Sequence, residues 1–277
     1  MSESVILSYN RSMDNKDFIE NVTVYPETDK ENREILVYDS GNALQSACYT
    51  DYDMRYRLVF EYMKQFDRAL KLNPDARKIL LLGGAAYAYP KHIISQYPNI
   101  SVDVVEIDPM AYSTARQFFY LDELIREYDL DNTHRLTNHV CDAYDYIYQC
   151  KEKYDIIIND VFRDLEPVYS LMTLSSLAQM KTLLNPEGFY VANLSGYRKH
   201  QDTEYLLDEL KTLTELYNNV QLFKAFNYPY TKTGNYIILA SDTSETLDDR
   251  LTYKINDSEI INGIKTVEEK FHKFMYR

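Results

Sequence analysis

Three carboxylates, Asp160, Asp164 and Glu166, fall within seven residues directly after the apolar run Tyr154-Asp155-Ile156-Ile157-Ile158-Asn159. Such a cluster can hold a cationic amine and let one member take a proton from it. On a bare surface loop the same residues would carry no chemistry. A second constellation lies upstream, where Gly83-Gly84-Ala85-Ala86 follows the run Lys78-Ile79-Leu80-Leu81-Leu82. Small residues there let the backbone approach a ligand closely and leave N–H groups at a helix start, although two glycines after a strand can also be a plain tight turn. Glu106 lies 23 residues after Gly83, at the end of another apolar run. A carboxylate at that spacing can accept hydrogen bonds from both hydroxyls of a ribose. Asp142, ahead of the aromatic stretch Tyr144 to Tyr148, is placed either to receive an adenine amino group or to cap a helix.

The elements that must position these residues follow from periodicity. Lys78–Leu82, Ser101–Ile107, Tyr154–Asp160 and Gly188–Leu194 are short runs apolar on both faces, separated by helical stretches such as Met110–Tyr120 and Thr173–Leu184. That alternation predicts a parallel sheet covered on both sides and doubly wound by right-handed crossovers. Val220–Phe226 and Asn235–Ser241 are too close in sequence for a crossover helix and must pair antiparallel. One reversed strand near the end of a parallel sheet is the methyltransferase-type arrangement; a dehydrogenase would need another parallel repeat and G-x-G-x-x-G, which Gly83-Gly84-Ala85-Ala86-Tyr87-Ala88 does not supply. Before this region, Val5–Tyr49 alternates β-prone runs with polar turns, the last pair forming a hairpin around Asp39-Ser40-Gly41-Asn42. Apolar spacing over Asp53–Leu72 predicts one helix, broken by Asn73-Pro74-Asp75. The expected division is a small β unit plus linking helix over 1–75 and a Rossmann-like nucleotide-binding domain over 76–277.

Composition narrows the partners. The 277 residues are 45% hydrophobic, enough for a sizeable core, and carry a net charge of −13. With no clustered Lys and Arg, nucleic acid is a poor partner and a cationic small molecule a better one. No window reaches the roughly 20 apolar residues of a membrane helix, and Met1–Asn10 lacks a basic stretch followed by a long apolar run, so a cytoplasmic protein without a signal peptide is expected. Cys48, Cys141 and Cys150 form no paired spacing, and His92, His134, His139, His200 and His272 are scattered. No metal site is expected.

The stretch from Lys78 to Gly196 resembles the spermidine synthase family and its spermidine synthase-like relatives. ILLLGGAAYAYPKHI, VDVVEIDP, the DAYDYI segment, YDIIINDVF and LLNPEGFYVANLSG match in order and spacing, and LVYDSGNALQSACY upstream resembles the family's amino-terminal β unit. The resemblance implies a transferase that moves an alkyl group, aminopropyl or methyl, from S-adenosylmethionine or its decarboxylated form to an amine, with methylthioadenosine as product in the aminopropyl case. By resemblance Gln45 contacts the donor nucleotide, Gly83, Gly84 and Ala85 form its loop, Glu106 binds the ribose, Asp142 the adenine, and Asp160 accepts a proton from the attacking amine. Asp164, Glu166 and Tyr56 are expected on the acceptor side. A homodimer is one of the assemblies left open.

The departures from the family bear on specificity. Asp160-Val161-Phe162-Arg163-Asp164 replaces D-[ST]-[ST]-D-P, so the second carboxylate is displaced by one position, and Asp53-Met54-Arg55-Tyr56 lacks the Y-H-E triplet that helps hold the polyamine. Ala86 stands where the family carries an aspartate in G-G-G-D-G-G. By resemblance that aspartate faces the amine of the donor's aminopropyl group, so alanine removes a charge that would repel ordinary S-adenosylmethionine, and discrimination between the donors is expected to shrink or reverse. A chain that has lost chemistry and acts as a nucleotide-binding or interaction module is the alternative.

Overall fold

The computed structural model describes residues 5–12, 19–40, 44–163, 166–196, 200–225, 234–249 and 252–253. In chain order the elements are β1 (Leu7–Ser12), β2 (Ile19–Thr28), β3 (Glu34–Asp39) and β4 (Leu44–Tyr49), then α1 (Glu61–Lys64) and α2 (Asp67–Leu72). They continue with β5 (Lys78–Leu82), α3 (Ala88–Gln96), β6 (Ser101–Glu106), α4 (Pro109–Phe118), α5 (Leu121–Glu127), α6 (Leu130–Thr133) and β7 (Leu136–Val140). The remainder is α7 (Ala143–Gln149), β8 (Tyr154–Asn159), β9 (Phe162–Arg163), β10 (Glu166–Pro167), α8 (Leu174–Leu183), β11 (Leu184–Gly196), α9 (His200–Leu216), β12 (Asn219–Lys224), β13 (Gly234–Ser241) and β14 (Thr252–Tyr253). The chain divides into two compact units, one of residues 1–60 and 81–142, the other of residues 61–80 and 143–277.

In the first unit, β1 to β4 form an antiparallel meander in sequence order. Successive side chains of a strand point to opposite faces, and here both faces are buried. Val22, Val24, Leu36, Tyr38 and Cys48 pack with Ala86 and Phe119 on one side, while Ile35, Val37, Ala47 and Tyr49 form a separate cluster on the other. The hairpin between β3 and β4 is present, with residues 41–43 of its turn outside the described residues. The division between the units falls inside β5, whose Leu81 and Leu82 belong to this unit together with β6 and β7, which run parallel with Glu106 opposite Val140. Asp108 starts α4 by accepting a hydrogen bond from Met110 N at 2.8 Å, with Pro109 at the first helical position.

In the second unit the order is β14-β12-β13-β11-β8-β5. β8 and β11 run parallel, Ile157 opposite Tyr190 and Asn159 opposite Ala192. β13 is the reversed strand expected from the sequence, antiparallel to β11 and to β12. The buried runs of β5, β6 and β8 are those of a sheet covered on both faces. The architecture is a Rossmann-like, methyltransferase-type α/β fold with an antiparallel β unit before it.

Two expectations need correction. Asp53–Leu72 is not one helix: a 3₁₀ turn at Tyr52–Met54 is followed by non-helical residues and then by α1 and α2. Aromatic and β-branched side chains have weak helix propensity, and Arg55 and Tyr56 are turned instead toward Glu127. Strand β7 was not expected at all, because Leu-Thr-Asn-His-Val lacks an apolar run. The expected polar tail, Asp257–Arg277, lies outside the described residues. Among the described residues no helix is long and apolar enough to cross a membrane.

Candidate active site

The candidate donor-binding residues of the first unit gather around the end of β5, β6 and the glycine turn. Gly83 has φ 89°, a backbone conformation suited to glycine. Gly84 cannot carry a side chain without displacement, since an added Cβ would lie 2.7 Å from Val104 Cγ1. That closeness brings the turn onto Glu106, whose buried carboxylate Oε2 accepts hydrogen bonds from Gly84 N at 2.8 Å and Ala85 N at 2.9 Å. Its Oε1 accepts from Asp108 N at 2.9 Å, and Gly83 N donates to Val105 O at 2.9 Å.

The amides of Gly83, Gly84 and Ala85 are therefore all engaged inside the protein, contrary to the expectation that the turn offers free N–H groups. A desolvated carboxylate needs such partners, and Glu106 is the acceptor nearest to two of them. A carboxylate offers about four acceptor positions; these three bonds leave one, on Oε1.

Asp142 sits just beyond β7. Cys141 N donates to Glu106 O at 3.2 Å, which extends the β6–β7 pairing and brings Asp142 to the carboxyl end of β6. Gln45, on β4, donates from Nε2 to Ser40 Oγ at 3.1 Å. Ala86 is fully buried in the apolar cluster of Val22, Val24 and Tyr38. An aspartate there would bury its carboxylate among apolar side chains.

Tyr56 belongs to a separate cluster of the same unit. Its hydroxyl donates to Glu127 Oε2 at 2.9 Å, beside the two-pronged Arg55–Glu127 pair at 2.7 and 2.9 Å. The Arg55 guanidinium lies over the rings of Tyr52 and Tyr56, 3.7 and 4.4 Å from their centroids.

The second unit carries the candidate base. Asp160 follows the last residue of β8, part-buried. Its Oδ1 accepts from Asn193 Nδ2 at 2.7 Å, and its Oδ2 accepts from the Tyr62 hydroxyl at a long 3.4 Å. Asn193 is held in turn by Asn235 Nδ2, which donates to its Oδ1 at 3.0 Å. Desolvation outweighs these two donors and pushes the Asp160 carboxyl up to about 7. Burial, reinforced by that carboxylate, keeps the Tyr62 hydroxyl protonated and able to donate.

Asp164 lies outside the described residues, and of Glu166 only the backbone is described, in the short β9–β10 pair. The sequence reading missed Tyr62, Asn193 and Asn235. A signal existed for Asn193 alone, as a polar residue inside the run Gly188–Leu194. Among the described residues no group of three or more His, Cys, Asp or Glu could hold a metal ion.

Comparison with known proteins places this geometry in a family. The model of the spermine/spermidine synthase domain matches residues 61–249. The chain is 30% identical over 207 residues to a polyamine aminopropyltransferase of Vibrio vulnificus (strain CMCP6), covering 74% of this chain and 63% of the relative. It is 26% identical over 191 residues to that of Chromobacterium violaceum, covering 69% of this chain and 66% of the relative. The chain thus spans less than two thirds of the length of these curated relatives. A solved structure of a probable spermidine synthase from Corynebacterium glutamicum shares the fold, with a TM-score of 0.68, 21% identity and coverage of 87% of this chain and 82% of that one. A family match extending from α1 past β13 takes in well over half of the sequence, and the chain belongs to the spermine/spermidine synthase family.

Proposed function

We propose that the protein transfers the aminopropyl group of decarboxylated S-adenosylmethionine to a small cationic amine, with Asp160 as the proton acceptor. The observation that carries this reading is the state of Asp160. It is a part-buried carboxylate at the end of a parallel strand, held by Asn193 and Tyr62 and pushed up to about 7. A base poised near neutral pH is suited to taking a proton from an ammonium group and releasing it again. The polyamine aminopropyltransferase names of the two relatives favour aminopropyl over methyl transfer.

A sulfonium donor supplies a carbon already activated by the adjacent positive sulfur: the amine nitrogen forms a bond to it, the carbon–sulfur bond breaks, and methylthioadenosine departs. What remains for the protein is alignment and the handling of one proton. Asp160 Oδ1 accepts the short bond from Asn193 and Oδ2 only the long one from Tyr62, so Oδ2 is the less engaged oxygen and the better suited to receive the proton. In the first unit, Glu106 would receive a ribose hydroxyl at the acceptor position left on Oε1, and Asp142, at the carboxyl end of β6, would receive the adenine amino group. The net charge of −13 favours encounter with a polycation.

The test is to incubate the protein with decarboxylated S-adenosylmethionine and putrescine and to quantify methylthioadenosine. Release that requires the amine supports the reading. Release of S-adenosylhomocysteine from ordinary S-adenosylmethionine would instead establish methyl transfer. Donor binding without either product would make the chain a nucleotide-binding module.

A further inference from the structure

We propose that Glu209 is a positioning residue for the Asp160 site, acting through the Tyr190 hydroxyl on Asn159. The inference rests on the reading of Asp160 as the proton acceptor. All the residues concerned lie within the second unit, and three of them form a directed hydrogen-bond chain. Asn159 Nδ2 donates to the Tyr190 hydroxyl at 3.1 Å, and that hydroxyl donates to Glu209 Oε1 at 2.8 Å. Glu209 and Tyr190 are fully buried and Asn159 is 7% exposed.

The pleat explains what this chain does. Asn159 pairs with Ala192 and Ile157 with Tyr190 across the parallel β8–β11 ladder, so Asn159 and Tyr190 project from one face of the sheet. Asp160 and Asn193 have the opposite parity and meet on the other face. The end of β8 is thus gripped from both sides: Asp160 by Asn193 and Tyr62, and the residue before it by Tyr190 and Glu209.

Glu209 has a cost that core packing does not require. Its Oε2 is buried without a hydrogen-bond partner among the described residues, and burial pushes its carboxyl up to about 7. A leucine would fill a helix face more favourably than a carboxylate with an unmatched oxygen. What leucine could not do is fix the direction of the chain. With Glu209 accepting, the Tyr190 hydroxyl must donate away from Asn159, which leaves its oxygen to accept from Asn159 Nδ2 and sets the orientation of that amide. Without Glu209 the hydroxyl is free to donate to the Asn159 carbonyl oxygen instead, the amide can turn over, and the backbone leading into Asp160 loses a constraint.

The test uses the full chain and four variants: Glu209→Leu, Glu209→Gln, Tyr190→Phe, and Glu209→Leu with Tyr190→Phe. Two quantities are measured. One is the side-chain amide resonance of Asn159 in protein labelled with nitrogen-15 asparagine, assigned by its loss in Asn159→Asp. The other is kcat and KM with decarboxylated S-adenosylmethionine and putrescine. Glu209→Leu and Tyr190→Phe are expected to shift the Asn159 amide and to lower kcat about tenfold or more, as misplacement of a reacting group does, with the donor KM changed less than about twofold. Glu209→Gln keeps an acceptor for Tyr190 and is expected to restore both readouts, and the double variant is expected to be no worse than the poorer single one. An unmoved Asn159 amide, additive losses in the double variant, or a kcat retained despite lowered thermal stability would overturn the proposal. A shifted amide in a protein that transfers nothing would support the link and sink the transfer reading instead.

Discussion

Asn193 donates its side-chain amide to Asp160 Oδ1 at 2.7 Å, and this bond makes the two carboxylate oxygens unequal. One is a structural acceptor tied through Asn193 to Asn235, and the other meets a tyrosine hydroxyl at 3.4 Å, a distance at which a hydrogen bond is weak. An incoming ammonium group can displace or share that long contact at little cost.

Asp160→Asn keeps the shape and removes the basic oxygen. Transfer is expected to fall roughly 10²–10⁴-fold, the usual worth of a general base, while donor affinity stays near that of the native protein. Single-turnover release of methylthioadenosine and calorimetric donor titration check the two halves; near-native transfer in the variant would remove Asp160 from the role of base.

The same group predicts opposite pH trends for rate and stability. The base must be ionised, so kcat/KM is expected to rise with pH through about 7. Stability runs the other way. The folded protein holds Asp160 above its ordinary value of 3.8 and Glu209 above 4.5, both near 7. Each then contributes stability that is full below its unfolded value and is lost as pH rises through the folded one. Asp160→Asn lacks its share of that loss, so its Tm relative to the native protein is expected to be higher at about pH 8 than at about pH 5. A Tm difference that does not vary with pH would show that the carboxyl titrates normally.

Glu106→Ala is expected to damage the fold as well as binding, because it deprives the amides of Gly84, Ala85 and Asp108 of their acceptor. An unsatisfied buried donor costs about 1–3 kcal/mol. Urea denaturation should show a clear loss, and Glu106→Gln, which keeps one acceptor oxygen, should lose less stability while still weakening the donor. Equal stability of Glu106→Ala and native protein would mean that the three bonds contribute little.

Gly84→Ala places a Cβ 2.7 Å from Val104 Cγ1 and 3.4 Å from Glu106 Cβ. Overpacking of this kind costs about 1–3 kcal/mol, and the displaced Glu106 should lower donor affinity. A denaturation midpoint unchanged from the native protein would show that Val104 yields without cost.

Ala86→Asp separates donor choice from core packing. The Ala86 methyl is fully buried beside Val22, Val24 and Tyr38, and an unpaired carboxylate in that place carries a penalty of several kcal/mol. The expected outcome is a lower Tm with no gain in preference for the decarboxylated donor. A stable variant with such a gain would show instead that this position faces the donor.

The buried strands, their sequence order and the reversed β13 were legible in the sequence, because an apolar run bounded by turn residues is a local signal and the connections are short. The positions of Glu106 and Asp160 at strand ends were legible for the same reason. Which groups these acids bond to was not. Asp160 meets Tyr62 from 98 residues away and Asn193 from 33; Tyr56 meets Glu127 from 71 residues away and is thereby occupied. Such pairs depend on strand register and on how helices dock, which no local pattern encodes. The glycine turn shows the difference most plainly: its residue types announced a close approach, but only the packing of Gly84 against Val104 decided that the approach is to Glu106, whose desolvated carboxylate takes the amides the sequence had reserved for a ligand.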